Sequence, residues 1–394
     1  MSEDYYIEVK YAQKNHHSSR ICGDVFFSRQ VLEEGRVIVV LSDGMGHGVK
    51  ANVLATLTAT MALNFTAEHK EHHKIAEIVM NTLPVCSIRQ ISYATFTILD
   101  IEKQGETKIL EFDNPAMVFL REGRVKEPDW EEIELESGQH MGKRLRTCTI
   151  TPQKGDRLVF CSDGVTQSGM GSDELPFGWG EEGLKEFVQT TVDNEPDIDA
   201  HRLAIRVVNA ANKHDNYHPH DDVSCVSVYF REPRKLLYCT GPPYEEEKDT
   251  ELGDAVRGFS GRKIVSGATT GDIIARELGV EIKDGFEFTD DDLPPVSYME
   301  GIDLYTEGIL TLGKVASLLP GYLNKVRKGK GPADQVIKLL LDSDEIHFII
   351  GTRVNVAHQD PNLPVELEIR RTVVKRIASI LEKEYLKRVV IRYI

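Results

Sequence analysis

Residues 37–50 read VIVVLSDGMGHGVK, and residues 157–167 read RLVFCSDGVTQ. Each is an apolar run with the β-branched and aromatic character of a buried strand, and each stops at Ser-Asp-Gly. One such ending is ordinary, because Asp-Gly suits a tight turn after a strand. Two endings are joined here by Asp24 in ICGDVFF and Asp221 in HPHDDVSCV, which also stand at the edges of apolar segments. Strand termini are rigid, so four carboxylates there can be aimed at one point. Converging carboxylates repel at roughly 4 kcal/mol per close pair in an intermediate dielectric, and persist only when protonated or holding cations. Hard oxygen ligands favour Mg²⁺ or Mn²⁺ over zinc. Asp43 and Asp163 are therefore expected to be two halves of one site, brought together from adjacent strands. The glycine after each is expected to let the backbone turn sharply, and Gly44 can offer a carbonyl to a metal.

Around these endings the chain reads as successive strands with short connections, among them residues 7–13, 24–32, 36–42, 92–102, 106–114, 116–125 and 146–152. Apolar helices are expected over 49–66 and about 72–83, and a helical stretch over 182–212. Short strand-to-strand connections imply antiparallel sheets with helices outside, an α+β sandwich over residues 1–232. The Pro-Pro and acid run of EPRKLLYCTGPPYEEEKDTE marks 233–250 as a linker with one short strand, RKLLYCT, and helix–strand alternation makes 251–394 a smaller α/β domain.

The chain has 394 residues, 41% of them hydrophobic and 28% charged, with a formal net charge of −16. That balance fits a globular protein and argues against sequence-independent nucleic-acid binding, which needs a surplus of cations. It does not exclude a phosphorylated substrate, since a bound metal reverses the local sign. The six cysteines are scattered with no CxxC pair, so neither a disulfide framework nor a zinc knuckle is expected. MSEDYYIEVK lacks the features of a signal peptide, and no apolar run reaches the length of a membrane span. The expectation is a cytoplasmic protein with no membrane or nucleic-acid partner.

DGMGHG, the small-residue helix after it, RLVFCSDGVTQ and DDVSCVSVYF together resemble the stage II sporulation protein E family, bacterial metal-dependent phosphatases of the protein phosphatase 2C class. Motif order agrees, with Asp24 19 residues before Asp43 and Asp163 58 before Asp221. DNPAMVFLREGRV, residues 113–125, resembles the family's strand pair before the second SDG. The resemblance implies an αββα sandwich of two antiparallel sheets flanked by helices. It aligns Asp24, Asp43, Asp163 and Asp221 with metal-binding aspartates and Gly44 with a carbonyl ligand, with Asp43 and Asp163 central to catalysis. It also implies two Mn²⁺ or Mg²⁺ ions sharing bridging carboxylates, and a hydroxide held between them that attacks phosphorus in line. The implied substrate is a phosphoserine or phosphothreonine protein, such as an anti-sigma-factor antagonist in partner switching. The helix beginning at Val49 is the family's switch element, coupled to dimerisation or a sensor, and a homodimer is accordingly one implied state. Leu54, Leu57, Met61 and Phe65 are expected to be core contacts of that helix as well.

Departures from the wider class are visible. Met45 stands where the eukaryotic phosphatases carry a histidine, and His47 lies two residues further on. Gly23 stands where they place a glutamate. Arg20 is near the usual phosphate-clamping arginine but not at it, and Asp222 reads as a hydrogen-bond acceptor beside Asp221. Arg20, His47 and Asp222 are thus further candidates. HDNYHPHDD, residues 214–222, has an alternative reading as the His/Asp cluster of a zinc-type hydrolase, which leaves both SDG endings unexplained. A second alternative is a non-catalytic phosphoprotein-binding module. GMGHGVKA is no phosphate-binding loop, because Ala51 stands where a hydroxyl is needed. In the second domain, KIVSGATTGDIIARELG runs from strand to helix through Thr269 and Thr270, which places hydroxyls and free N–H groups as anion sites do. Ordinary capping by Thr270 or Asp272 is the alternative there. That domain is expected to be regulatory.

Overall fold

The computed structural model describes residues 5–68, 72–82, 94–103, 105–135, 141–324, 329–353 and 363–394. The chain divides into two compact units, Met1–Glu232 and Pro233–Ile394.

The first unit holds, in order, β1 (Tyr6–Lys14), β2 (Val25–Val31), β3 (Arg36–Gly44), α1 (Val49–Ala67), α2 (His72–Thr82), β4 (Ala94–Glu102), β5 (Thr107–Phe112), β6 (Val118–Arg121), β7 (Arg124–Lys126), β8 (Glu131–Glu134), β9 (Arg144–Ile150), β10 (Arg157–Cys161), α3 (Asp163–Thr166), α4 (Gly180–Asn194), α5 (Ala200–His214) and β11 (Val223–Arg231). One sheet runs β2-β3-β4-β5-β9-β8 and the other β1-β11-β10-β6-β7. Every neighbouring pair is antiparallel.

Strand alternation assigns the layers. Val39 and Leu41 of β3 meet Leu158 and Phe160 of β10, and Val226 and Val228 of β11, in a core between the sheets. Ile38 and Val40 point the other way, under Ala55, Ala59 and Ala62 of α1 and Ile75 and Val79 of α2. Across the molecule, α4 and α5 place Leu184, Val188, Leu203 and Val207 against Val159, Cys161 and Cys225. The expected αββα sandwich is therefore present. Each fully buried aliphatic or Phe side chain contributes about 1.5–3 kcal/mol to holding it together.

Two local expectations are corrected. The stretch 182–212 is two helices, because Pro196 interrupts the first and Asp199 caps the second by accepting from Arg202 N at 2.8 Å. Helix α1 buries its small residues, while Val49, Val53 and Leu57 are exposed, so Leu57 is not a core contact. Alanines let the helix lie close on the sheet, which turns the bulkier residues outward.

The second unit holds β12 (Lys235–Thr240), α6 (Asp249–Gly258), β13 (Arg262–Ser266), α7 (Ala268–Leu278), the short pair β14 (Ile282–Lys283) and β15 (Tyr298–Met299), β16 (Leu304–Thr306), α8 (Ile309–Leu318), α9 (Pro332–Asp342), β17 (Glu345–Ile350), α10 (Leu363–Lys383) and β18 (Arg388–Tyr393). Its main sheet, β16-β13-β12-β17-β18, is parallel throughout. Apolar side chains of α6 and α7 cover one face and those of α8, α9 and α10 the other. The expected linker, 233–250, is corrected: the short strand expected within it, Lys235–Thr240, is the middle strand of this sheet and belongs to the second unit. The buried run KLLYCT outweighs the turn signals that follow it. Among the described residues no helix is long and apolar enough to cross a membrane.

Candidate metal centre

The register of β2 on β3 pairs Val25 with Ser42, so one further residue sets Asp24 opposite Asp43. Both aspartates share strand parity with Phe26 and Leu41, which pack between the sheets. At this end the apolar layer gives way to carboxylates. In the other sheet Cys161 pairs with Cys225, and Ser162 N donates to Ser224 O at 3.0 Å. Asp163 opens α3 just after β10, and Asp221 lies just before β11. Asp43 and Asp163 thus come from facing sheets and not from adjacent strands. Strand ends of the two facing sheets bring the carboxyls of Asp24, Asp43, Asp163 and Asp221 within electrostatic reach of one another.

The glycines act differently from the expectation. Neither Gly44 nor Gly164 has a positive φ. A Cβ on Gly44 would stand 2.1 Å from the carbonyl oxygen of Ala51, and one on Gly164 2.2 Å from that of Asp222. Each glycine therefore lets a second backbone segment, α1 or the Asp221–Asp222 turn, press against an aspartate-bearing loop. The left-handed turns fall later, at Gly46 (φ 85°) and Gly48 (φ 79°), where α1 starts.

Electrostatics follow from the convergence. Burial pushes the Asp43 carboxyl well above its usual range, and the charges of Asp24, Asp163 and Asp221 add to this. Asp24 is 3% exposed, and burial above all raises it to about 8, helped by the charges of Asp222 and Asp221. The hydroxyls of Ser224 and Ser162 moderate that rise, yet neither is aligned to donate to it. Asp221 is pushed up to about 6, first by burial and then by Asp163 and Asp222, against the backbone N–H of Asp222.

Do these groups fit a cation? Both oxygens of Asp24 and Oδ1 of Asp163 are buried without a hydrogen-bond partner among the described residues. Buried carboxylate oxygens are rarely left so, and a hard divalent cation is what such donors satisfy. Among the described residues no three His, Cys, Asp or Glu side chains converge tightly enough to encircle an ion as they stand. The four aspartates fit such a cation in the chemistry of their donors.

The neighbouring residues divide into supports and rim. Asp222 is 1% exposed, and its carboxylate accepts from His16 N and Gly23 N, both at 2.8 Å. It thereby pins the loop that carries Asp24, as does Asn52 of α1, whose amide donates to Cys22 O at 2.9 Å. Gln167 donates to Asp163 Oδ2 at 2.8 Å. Asn114 bonds the hydroxyls of Thr95 and Thr97 beneath Asp43, whose cross-strand partner is Thr95. Ser162, Ser224, Gln167 and Asn114 were not foreseen; for the two serines, period-2 parity with the core residues was the available signal. His47 is exposed, bonded to Ser19 Oγ at 2.8 Å and stacked on His16 at 4.0 Å. Arg20 is exposed. Of the imidazoles of the zinc-type alternative, His214 packs on Trp179 at 4.7 Å and bonds Ser168 Oγ at 3.3 Å, whereas His218 Nδ1 is bonded to its own loop at Asn216 O.

The raised carboxyls have a consequence for stability. A carboxyl whose folded pKa exceeds its unfolded value binds more protons folded than unfolded, so stability falls as pH rises between the two. For Asp24 that window runs from 3.8 to about 8. With EDTA present, the melting temperature should fall as pH is raised from 5 towards 8, and saturating Mn²⁺ should reverse the fall at the upper end. A profile that rises with pH, measured by scanning calorimetry, would contradict the placement of these groups.

The family model for stage II sporulation protein E (SpoIIE) matches residues 33–231, half of the chain, a span containing Asp43, Asp163 and Asp221. Among solved structures, the phosphatase domain of the cell fate determinant SpoIIE from Bacillus subtilis is 13% identical at a TM-score of 0.44, with 58% of this chain and 94% of that chain covered. A serine/threonine phosphatase of S. agalactiae is 15% identical at 0.41, covering 57% and 100%. RsbX, solved in complex with magnesium, is 17% identical at 0.39, covering 58% and 98%. No curated protein matches the chain. By the match over half its length, the chain belongs to the stage II sporulation protein E family.

Proposed function

We propose that this protein is a metal-dependent serine/threonine protein phosphatase acting on a phosphoprotein in bacterial signalling or partner switching. Family membership supports a phosphatase. The observation that carries the metal-dependent reading is the set of buried, partnerless carboxylate oxygens of Asp24 and Asp163, near enough to Asp43 for their charges to raise its carboxyl. Asp24, Asp43, Asp163 and Asp221, with the Gly44 carbonyl, would hold two Mn²⁺ or Mg²⁺ ions. Bound there, the cations would lower the pKa of a coordinated water and neutralise charge on the phosphate.

The chain's own residues prepare that site. Asp222, Asn52 and Gln167 fix the loops bearing Asp24 and Asp163, which limits how far these aspartates can wander. The apolar layer behind Asp24 and Asp43 excludes water and strengthens local electrostatics. No side-chain nucleophile is required, and His47, exposed at the rim, is not assigned a catalytic role.

Hydrolysis by metal-stripped protein tests this. A phosphoserine peptide should be cleaved only after Mn²⁺ or Mg²⁺ is added, and a phosphotyrosine peptide much more slowly. Activity that requires zinc and survives Asp163→Asn would replace this reading with the zinc-type one.

A further inference from the structure

The segment between α3 and α4, residues 167–179, starts at the metal centre, is bonded along its length, and still turns apolar side chains outward. Gln167 ends α3 and donates to Asp163 Oδ2 at 2.8 Å. The segment then returns to that point. A Cβ on Gly178 would stand 2.8 Å from Thr166 O and 3.0 Å from Gln167 Cα. Gly178 has a φ of 84°, the left-handed region that glycine enters without strain. Phe177, the residue before it, therefore lies beside the short helix that carries Asp163.

Between those points the backbone is tied down. Gly171 N donates to Pro176 O at 3.3 Å, and Trp179 N to Ser168 O at 2.9 Å. Both bonds have one register, which sets Met170 across the segment from Phe177. Gly169 N donates to Asp215 Oδ1 at 2.7 Å, and Leu175 N to Ser172 Oγ at 3.0 Å. Trp179 packs on Phe187 and His214, at 5.3 and 4.7 Å.

On this anchored segment Phe177 is 90% exposed and Met170 54%. Single exposed apolar side chains are ordinary on a protein surface. Here the chain holds a facing pair outward beside a proposed metal ligand, and forgoes the burial that Trp179 gains two residues later. Aromatic and Met side chains are enriched where proteins meet. Position decides what covers this pair, since whatever brings a phosphate to Asp163 stands over the same segment. A small phosphate ester would leave both side chains in water, whereas a folded phosphoprotein would cover them. The start of α7 in the second unit presents no comparable surface: its N-cap is Gly267, neither Thr270 nor Asp272 caps it, Thr269 is half-buried and Thr270 buried.

We propose that Met170 and Phe177 dock the substrate, a folded phosphoprotein that presents apolar side chains next to its phosphorylated residue. The proposal rests on the phosphatase reading of the metal centre. It adds how that centre selects among phosphates, by a contact that peptides and small esters do not make. Both side chains position the substrate and take no part in breaking the phosphate ester bond.

The test uses the full-length protein with Mn²⁺ and three probes: p-nitrophenyl phosphate, a phosphoprotein extract of source cells lacking this protein, and the same extract digested with trypsin. Initial rates at individual phosphoserine and phosphothreonine sites are read by quantitative mass spectrometry. The native protein should clear a subset of sites about tenfold or more faster in the intact extract than in the digest. Phe177→Ser should slow those sites about tenfold or more in the intact extract, with the digest and p-nitrophenyl phosphate cleaved at native rates, and Met170→Ser should act the same way. Sites cleared equally fast before and after digestion, or Phe177→Ser as fast as native on intact proteins, overturn the proposal and leave the phosphatase reading standing. Slowed p-nitrophenyl phosphate hydrolysis in Phe177→Ser makes that side chain a support of the metal centre and overturns the dock as well. A native protein that cleaves none of the three probes overturns the phosphatase reading, and the dock with it.

Discussion

Asp163→Asn is expected to lower phosphoserine hydrolysis by about a thousandfold or more while leaving the metal-free protein as stable as the native one, or more so. The catalytic loss follows from what a cation supplies: several kcal/mol of charge stabilisation and an ionised water, at about 1.4 kcal/mol per factor of ten in rate. The stability effect has the opposite sign. Asp163 is one of the charges that hold the Asp43 carboxyl above its ordinary range, and its Oδ1 is buried without a partner. Removing that charge relieves the cluster when no cation balances it. Asp43→Asn should behave alike. A residue that served the fold alone would lose stability and activity together, so the paired measurement in EDTA and in Mn²⁺ separates the two roles.

Gly164→Ala and Gly44→Ala should be the most damaging substitutions that leave every carboxylate in place. The added methyl would stand 2.2 Å from the Asp222 carbonyl in one case and 2.1 Å from the Ala51 carbonyl in the other. Overpacking against side chains costs about 1–3 kcal/mol, and backbone cannot swing aside as a rotamer can, so about 3 kcal/mol or more is expected. Either α1 or the Asp221–Asp222 turn must move, and the proposed metal ligands Asp43, Asp163 and Asp221 beside them move too. Metal affinity should therefore fall along with the melting temperature. Gly258→Ala is the control, since nothing lies within 4 Å of a Cβ there; it should be close to neutral. An active, normally melting Gly164→Ala protein would show that this close approach is not needed.

The aspartates were legible in the sequence because each interrupts an apolar run, and period-2 alternation then carries Asp43 to the same face as Val39 and Leu41. Which sheet each strand joins was not legible. The endings 37–44 and 157–164 look alike, yet β3 neighbours β2 and β4 while β10 neighbours β11 and β6. Nothing local to a strand encodes that choice; it is made by pairings between residues as distant as Tyr6 and Arg231. Helix α1 misled for a related reason. Hydrophobicity favours Leu57 for the core, but the closeness that Gly44 permits favours Ala51 and Ala55. In the second unit KLLYCT was legible as a short strand, but the Pro-Pro and acid run after it hid that it is the central strand of a sheet.

The central claim is that four aspartates from two facing sheets hold a pair of catalytic cations. Counting Mn²⁺ bound per chain, by electron paramagnetic resonance of the free ion at neutral pH, tests it most directly. The account predicts two ions per native chain, and fewer for Asp163→Asn. A native chain that binds none, or an Asp163→Asn chain that binds two as tightly as the native protein, would contradict it.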